Sequence, residues 1–149
     1  MNASTNTTLQ ITREIGAPRD RVYAAWTDPA LAKQWWGPDG TTTHELITDA
    51  WVGGKFRWVL STTEGERMTA EGVYREVRPD EKLVLTWAGT HDPSEDNAES
   101  LVTVEFRDED AATTGLHLTH ENLPSEESRD NHTEGWNSAL DKLERFLAR

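Results

Sequence analysis

The stretch that decides the fold is Trp26–Gly40, WTDPALAKQWWGPDG, which holds three tryptophans and then meets a Gly-Pro pair. Asp28 can cap a short helix that starts at Pro29, since aspartate is a favoured N-cap and proline a favoured first helical residue. Gly37-Pro38 ends that helix. A cluster of tryptophans indicates either a heavily packed core or an aromatic wall that contacts a ligand. The flanking sequence has to distinguish these interpretations.

On the N-terminal side of this stretch, Leu9–Ile15 alternates apolar and polar side chains, which is typical of a half-buried strand. Pro18 then suits the first position of a helix whose apolar face comprises Val22, Ala25 and Trp26. We therefore expect Trp26 to be a core residue that fastens two short helices beneath a longer one.

On the C-terminal side the apolar period changes to two, which predicts six further strands. They are His44–Thr48, Gly54–Thr63, Glu66–Arg78, Lys82–Trp87, Ser100–Arg107 and Thr113–His120. Gly72, inside the third of these, predicts a bulge that lets the sheet curl. The polar segment Gly89–Glu99 lacks the ligand pattern of a calcium loop and is interpreted as a solvated hairpin loop.

The last segment predicts one long helix. Ser125 is a suitable N-cap, and an apolar stripe follows to the C-terminus: Trp136, Leu140, Leu143 and Leu147. The order of one strand, two short helices, six strands and a long helix predicts an α+β helix-grip fold, a curved seven-stranded antiparallel sheet around the C-terminal helix. We expect residues 1–7 to form a disordered tail and residues 8–149 to form a single domain.

Composition narrows the function classes. The 149 residues carry a formal net charge of −12 and no cysteine. Such acidity argues against nucleic acid or an anionic membrane as partner, because both require clustered Lys and Arg. Without cysteine the chain has no disulfide and no thiolate chemistry. The N-terminus shows no signal peptide and no apolar run approaches the ~20 residues of a membrane span, so we expect a cytoplasmic protein, monomer or homodimer, without membrane insertion.

The polar residues give little support for metal or cofactor chemistry. His117 and His120 are three residues apart in a strand and point to opposite faces, and no H-x-x-x-H or H-E-x-x-H spacing occurs. No serine lies in a G-x-S-x-G turn, and no glycine-rich phosphate loop is present. We therefore expect neither a metal nor a cofactor.

Four polar residues stand out because the alternation places them near apolar neighbours. Arg13 is either a guanidinium satisfied by a core carboxylate or a cation that anchors an acidic ligand. His120 and Glu121 are either polar groups of a pocket or caps of a loop. His132 lies one helical turn before Trp136, so it is either a structural histidine or a group that binds a ligand or acts as a general base.

The aromatic residues carry the stronger signal, because together they would overfill an ordinary small core. Indole rings that face a cavity bind flat apolar molecules by stacking. Of Trp35 and Trp36, we expect Trp35 to face the cavity, since it stands four residues after Leu31. The candidate ligand-binding residues are Arg13, Trp35, Trp58, Met68, Tyr74, Trp87, His120, His132 and Trp136.

Five motifs along the chain resemble a known family. They are ITREIGAPRDRVYAAWTDPALAKQWWGPDG, GGKFRW, GVYREVRPDEKLVLTW, LTHENLP and HTEGWNSALDKLERFL. In this order they resemble the activator of heat-shock-protein-90 ATPase homologues, a family within the START-like, or polyketide-cyclase-like, SRPBCC superfamily. The resemblance implies a seven-stranded sheet wrapped around the C-terminal helix with a deep cavity between them. Val52 departs from the family, which commonly places proline before Gly53-Gly54.

Three hypotheses for function follow from the residues and the resemblance. The first is binding of a small hydrophobic, aromatic, lipid or polyketide-like molecule in the cavity. The second is a co-chaperone-like module that stimulates a heat-shock-protein-90-type ATPase, although the chain resembles only the C-terminal domain of the two-domain eukaryotic co-chaperone. The third is a cyclase or hydrolase that uses His132 or Glu121 as general base.

Overall fold

A seven-stranded antiparallel sheet and three helices are formed by the residues that the computed structural model describes, 7–89 and 99–148. In chain order they are β1 (Thr7–Ile15), α1 (Arg19–Thr27), α2 (Pro29–Ala32), β2 (Thr42–Thr48), β3 (Lys55–Ser61), β4 (Arg67–Arg78), β5 (Lys82–Gly89), β6 (Ser100–Asp110), β7 (Thr113–Leu123) and α3 (Glu126–Leu147). Most of the expected tail and of the expected 89–99 loop lies outside the described residues, and Thr7 already belongs to β1.

The strand order is β1-β7-β6-β5-β4-β3-β2, and every neighbouring pair is antiparallel. The predicted helix-grip fold is therefore confirmed. Because β1 and β2 form opposite edges of the sheet, the α1–α2 segment carries the chain from one edge to the other. The tryptophans of the Trp26–Gly40 stretch consequently lie buried against the core that the sheet encloses.

The two short helices begin at or next to the residues that the sequence indicated. The Asp28 carboxylate accepts a hydrogen bond from the Ala30 N–H at 2.9 Å, and Pro29 is the first residue of α2. Pro18 differs slightly from expectation, because it is the N-cap of α1 and Arg19 is the first helical residue. The predicted end of α2 at Gly37-Pro38 is wrong, because α2 ends after a single turn at Ala32 and turn residues follow.

Gly72 does not form the bulge that the sequence predicted. The register between β4 and β5 shifts between Tyr74 and Glu76. Gly72 instead permits a close approach of two backbones, since a Cβ atom there would lie 1.7 Å from the Thr86 carbonyl oxygen. The next N–H, of Val73, donates to the Thr86 hydroxyl at 2.8 Å.

The long helix α3 begins at the predicted cap, since the Ser125 hydroxyl accepts a hydrogen bond from the Ser128 N–H at 3.0 Å. All four residues of the predicted apolar stripe are buried: Trp136, Leu140, Leu143 and Leu147. The helix packs against β1, β7 and α1. No described helix is long and apolar enough to cross a membrane.

Strand β7 is longer than predicted and ends at Leu123 rather than His120. His120 and Glu121 are therefore strand residues and not the start of a loop. Because side chains alternate along a strand, His120 is fully buried on the inner face whereas Glu121 lies on the other face and is half-buried.

Candidate functional site

A cavity of about 320 Å³ lies between the N-terminal half of α3, the α2–β2 loop and strands β3, β4 and β5. The loop contributes Trp36, Gly37, Pro38 and Thr41, and α3 contributes Asn131, His132, Gly135, Trp136 and Ala139. The strands and the adjoining turn residue contribute Trp58, Leu60, Thr62, Met68, Thr69, Ala70, Trp87 and Gly89. Its position between sheet and helix is the one that the resemblance implied.

Four indole rings form a continuous aromatic surface, which we call the indole wall: Trp36, Trp58, Trp87 and Trp136. The ring centroids of Trp36 lie 6.0 Å from those of both Trp58 and Trp136, and Trp87 lies 5.5 Å from Trp136. Phe56 stacks behind Trp87 at 5.2 Å. Since these rings contact one another at favourable edge and tilted angles, the wall is a packed surface that can receive a flat apolar molecule.

Trp36, and not Trp35, contributes to the cavity, which reverses the assignment made from the sequence. The assignment assumed that Trp35 continues the helical face of Leu31, but α2 ends at Ala32. Trp35 turns inward instead, is 0% exposed, and donates from Nε1 to the Ala25 carbonyl at 2.9 Å. It therefore anchors α1 to the following turn.

Five of the sequence-predicted residues line the cavity: Trp58, Met68, Trp87, His132 and Trp136. Arg13 lies elsewhere, at the side of α3, where its guanidinium donates to Asp141 at 2.8 Å, to Glu144 at 2.7 Å and to Asn137. Burial by itself lowers the pKa of Arg13, but the hydrogen bonds and charges of the two carboxylates together raise it. The guanidinium is thus satisfied by carboxylates of the protein, as in the first of the two interpretations, but both carboxylates are partly exposed and not in the core.

Tyr74 also lies outside the cavity. It shares the inner face of β4 with Met68 and Ala70, but six residues of strand separate it from Met68, which corresponds to about 20 Å. Its hydroxyl is bonded to the Thr48 hydroxyl at 2.6 Å. Burial raises the pKa of Tyr74 to about 12, so the group stays neutral and structural.

His120 lies behind the indole wall and joins three elements through a directional hydrogen-bond chain. The Trp136 Nε1–H donates to Nδ1 of His120 at 3.1 Å, so the imidazole proton resides on Nε2. Nε2 then donates to the Ser100 hydroxyl at 2.7 Å, and that hydroxyl donates to the Trp87 carbonyl at 3.0 Å. Burial, with a contribution from His132, lowers the pKa of His120 to about 3.

The direction of this hydrogen-bond chain determines whether His120 can activate Ser100 as a nucleophile. A histidine that activates a serine must accept the hydroxyl proton on the ring nitrogen that faces it. In this protein that nitrogen already carries the proton, because the indole of Trp136 occupies the other one. His120 and Ser100 are therefore a structural pair and not a nucleophile and its base.

His132 has the opposite arrangement and faces the cavity. Its Nδ1 lies 2.8 Å from the Ser128 carbonyl oxygen, which can only accept, so Nδ1 carries the proton. Nε2 is left as an acceptor without a hydrogen bond to any described residue. The ring lies edge-on to His120, with centroids 4.9 Å apart. Glu121, the other candidate base, does not line the cavity.

Sequence reasoning missed the small residues that create the space. Asn131, Gly135 and Ala139 recur every four residues, so they lie along one face of α3, next to the face of Trp136. A Cβ atom at Gly135 would contact Pro38 Cγ at 3.5 Å. A glycine inside a helix costs about 1 kcal/mol relative to alanine, so Gly135 was a detectable signal that something other than helix stability selects this residue.

The α2–β2 loop is fixed against α3 and so closes one side of the cavity. Lys142 Nζ donates to the Gly37 carbonyl at 3.0 Å, and the Asp39 N–H donates to the Ser138 hydroxyl at 2.8 Å. Gly37 has φ +93°, and a Cβ atom there would lie 2.7 Å from the Trp58 ring. Only glycine satisfies both constraints, so the loop and the indole wall fit each other.

A sheet that grips a C-terminal helix over an apolar cavity defines a protein of the START-like class. Residues 16–148 match the family model described as "Activator of Hsp90 ATPase homolog 1-like protein", so the chain belongs to that family. No match to a curated protein was found.

Solved structures from several bacteria share the fold. The AHSA1 protein of Silicibacter pomeroyi is 30% identical with a TM-score of 0.84, covering 95% of this chain and 98% of that one. A Chromobacterium violaceum protein is 24% identical with a TM-score of 0.84, covering 96% and 99%. CalU16 of Micromonospora echinospora is 27% identical with a TM-score of 0.71, covering 94% and 75%.

Proposed function

We propose that this protein binds a small, flat hydrophobic molecule, aromatic or polyketide-like, in the cavity between the sheet and α3. The observation that carries the proposal is the cavity of about 320 Å³ bounded by the indole wall. Its volume falls within the roughly 300–1,000 Å³ of small-molecule sites. Family membership supports the same function, since proteins of this superfamily commonly bind hydrophobic ligands.

Desolvation supplies the binding energy. Burial of about 200 Å² of apolar ligand surface contributes roughly 5 kcal/mol at 25 cal/mol per Å². Stacking on indole rings adds about 0.5–1.5 kcal/mol for each well-placed aromatic pair. Two members of the wall are pre-positioned by hydrogen bonds, since Trp58 donates to Thr43 at 3.1 Å and Trp136 donates to His120. A ligand therefore does not have to order these rings, which lowers the entropic cost of binding.

Native mass spectrometry of the protein purified from its own host tests the proposal directly. A retained small molecule supports it, and a titration with an aromatic library followed by tryptophan fluorescence measures affinity. Ala139→Leu places a larger side chain in the cavity and is expected to weaken binding at least tenfold. Ala148→Leu, the same change at the exposed end of α3, is the matched control. A bare protein whose fluorescence no library member changes would contradict the proposal.

A second candidate function, contact with a heat-shock-protein-90-type chaperone, is favoured by an exposed apolar patch. Trp51 is 62% exposed, Val52 68% and Val73 42%. The turn that holds Trp51 and Val52 is bonded to Tyr74, next to Val73, through the Gly53 N–H at 2.9 Å. Large exposed apolar side chains that lie together commonly mark a protein contact.

A coupled ATPase assay with the purified chaperone tests the second candidate. Stimulation that Trp51→Ser abolishes, while cavity binding stays unchanged, would support it. Absence of stimulation at saturating protein would remove it. The two candidates rest on different residues, so each experiment leaves the other interpretable.

A further inference from the structure

Several polar atoms of the cavity lining are engaged by the protein itself. The Thr41 hydroxyl donates to the Pro38 carbonyl at 2.7 Å, and the Thr62 hydroxyl accepts from two backbone N–H groups of its own turn. The indole N–H groups of Trp58 and Trp136 are likewise occupied. Among the described residues, a ligand that enters the cavity thus meets a largely apolar surface on which only some polar groups are left for it.

Nε2 of His132 is such a group. The bond from Nδ1 to the Ser128 carbonyl fixes the tautomer, and Nε2 lies on the other side of the ring, directed away from the helix backbone. Its imidazole neighbour cannot use it, because both nitrogens of His120 are already bonded, to Trp136 and Ser100. His132 lines the cavity, so the site presents a fixed acceptor beside an aromatic surface.

A fixed acceptor selects ligands that carry a donor. A bare hydrocarbon leaves Nε2 unpaired inside an apolar site, which costs binding energy. A carboxylate cannot donate a hydrogen bond to Nε2 of the neutral imidazole, and the formal charge of −12 opposes anions in general. A neutral hydroxyl on an aromatic ring can donate a hydrogen bond to Nε2 while the ring itself stacks on the indole wall.

We infer that the cavity is selective for phenols, that is, ring compounds whose hydroxyl group donates a hydrogen bond to Nε2 of His132. This inference rests on the proposed ligand-binding function and adds to it the chemical class of the ligand and the residue that recognises it. His132 is then a binding residue that discriminates between ligands of equal shape.

Three probes of similar shape test the inference: 2-naphthol, which has the donor, and 2-methoxynaphthalene and naphthalene, which lack it. Their dissociation constants are measured by calorimetry with the wild-type protein and with His132→Phe, which keeps a ring but removes the acceptor. We expect 2-naphthol to bind about three- to tenfold more tightly than 2-methoxynaphthalene, as one net hydrogen bond provides. In His132→Phe the ratio is expected to fall to about one.

The outcomes separate the two proposals. If none of the probes binds the wild-type protein, the ligand-binding function itself fails. If all bind equally, or if the preference for 2-naphthol persists in His132→Phe, the function stands and the selectivity for phenols is overturned. Nitrogen NMR of the wild-type imidazoles needs no variant: 2-naphthol should shift the Nε2 resonance of His132 and 2-methoxynaphthalene should not, and equal shifts would contradict the inference.

Discussion

The two halves of α3 pack against the sheet in opposite ways. Towards the C-terminus, Leu140 and Leu143 are completely buried in a core that includes Ile15 and Val22, and we call this region the closed end. Towards the N-terminus, α3 carries Trp136 and faces the other three indoles of the wall across the cavity, and we call this region the cavity end. One helix on one sheet thus carries both a filled core and an empty space.

Side-chain size explains the difference. At the closed end leucines fill the distance between helix and sheet, whereas Gly135 and Ala139 leave it unfilled at the cavity end. The indoles do not collapse into the space, because hydrogen bonds hold Trp58 on the sheet and Trp136 on the helix in place. A cavity therefore needs both small residues on one side and fixed large residues on the other.

The largest expected effect concerns the closed end. Leu143→Ala should reduce the free energy of unfolding by about 2–5 kcal/mol, because it removes fully buried methyl groups and leaves a void. Met68→Ala at the cavity end should cost less than half as much, since Met68 is half-buried and already borders empty space. Urea denaturation followed by tryptophan fluorescence measures both, and equal losses would contradict the division into two ends.

Acid should affect the cavity end through His120. Its pKa is lowered from 6.5 to about 3 in the folded state, so the unfolded chain binds more protons between these values. His120 therefore does not reduce the free energy of unfolding above pH 6.5. Below that value the free energy of unfolding falls by up to about 1.4 kcal/mol per pH unit as the pH decreases towards 3. His120→Gln should remove this dependence although it lowers stability at pH 7. Denaturation at pH 7, 6 and 5 measures how the free energy of unfolding depends on pH. Equal slopes in the wild-type protein and in His120→Gln would show that His120 is not the source of the acid sensitivity.

The sequence was sufficient for the fold because the fold depends on local signals. Alternation defined the strands, Asp28 and Ser125 defined helix starts, and the stripe that includes Leu143 defined the buried face of α3. Where signals were weak the boundaries moved, as at β7, which continues past the polar His120 to Leu123 although the alternation is broken at Asn122, whose φ is +64°.

The site was less predictable because its geometry depends on contacts between distant residues. Which of Trp35 and Trp36 faces the cavity follows from where α2 ends, and helix length is a poorly specified property of a four-residue segment. The carboxylates that satisfy Arg13 lie more than 120 residues away in the chain. No periodicity reveals that Trp136 donates to His120 and so fixes its tautomer.

A substitution at Arg13 tests whether the closed end is separate from ligand binding, and its expected effect on stability is smaller. Arg13→Met removes the guanidinium from Asp141 and Glu144, whose side chains are 58% and 39% exposed. Water screens such partly exposed ion pairs, so the expected loss of stability is about 1 kcal/mol. The affinity for aromatic probes should not change, because Arg13 does not line the cavity. A variant that folds stably but no longer binds these probes would return Arg13 to the role of ligand anchor.

The smallest expected effect is a gain in stability at the cavity end. Gly135→Ala should raise the free energy of unfolding by about 0.5–1 kcal/mol, because alanine restricts the unfolded chain and favours helix. The added Cβ meets only Pro38 Cγ, at 3.5 Å, so no strain opposes the gain. Probe affinity should decrease at the same time, since the methyl group enters the cavity. Thermal unfolding and a fluorescence titration of one variant measure both effects. A gain in stability without weaker binding would mean that Gly135 does not maintain the space, and the contrast between the two ends would then rest on the indoles alone.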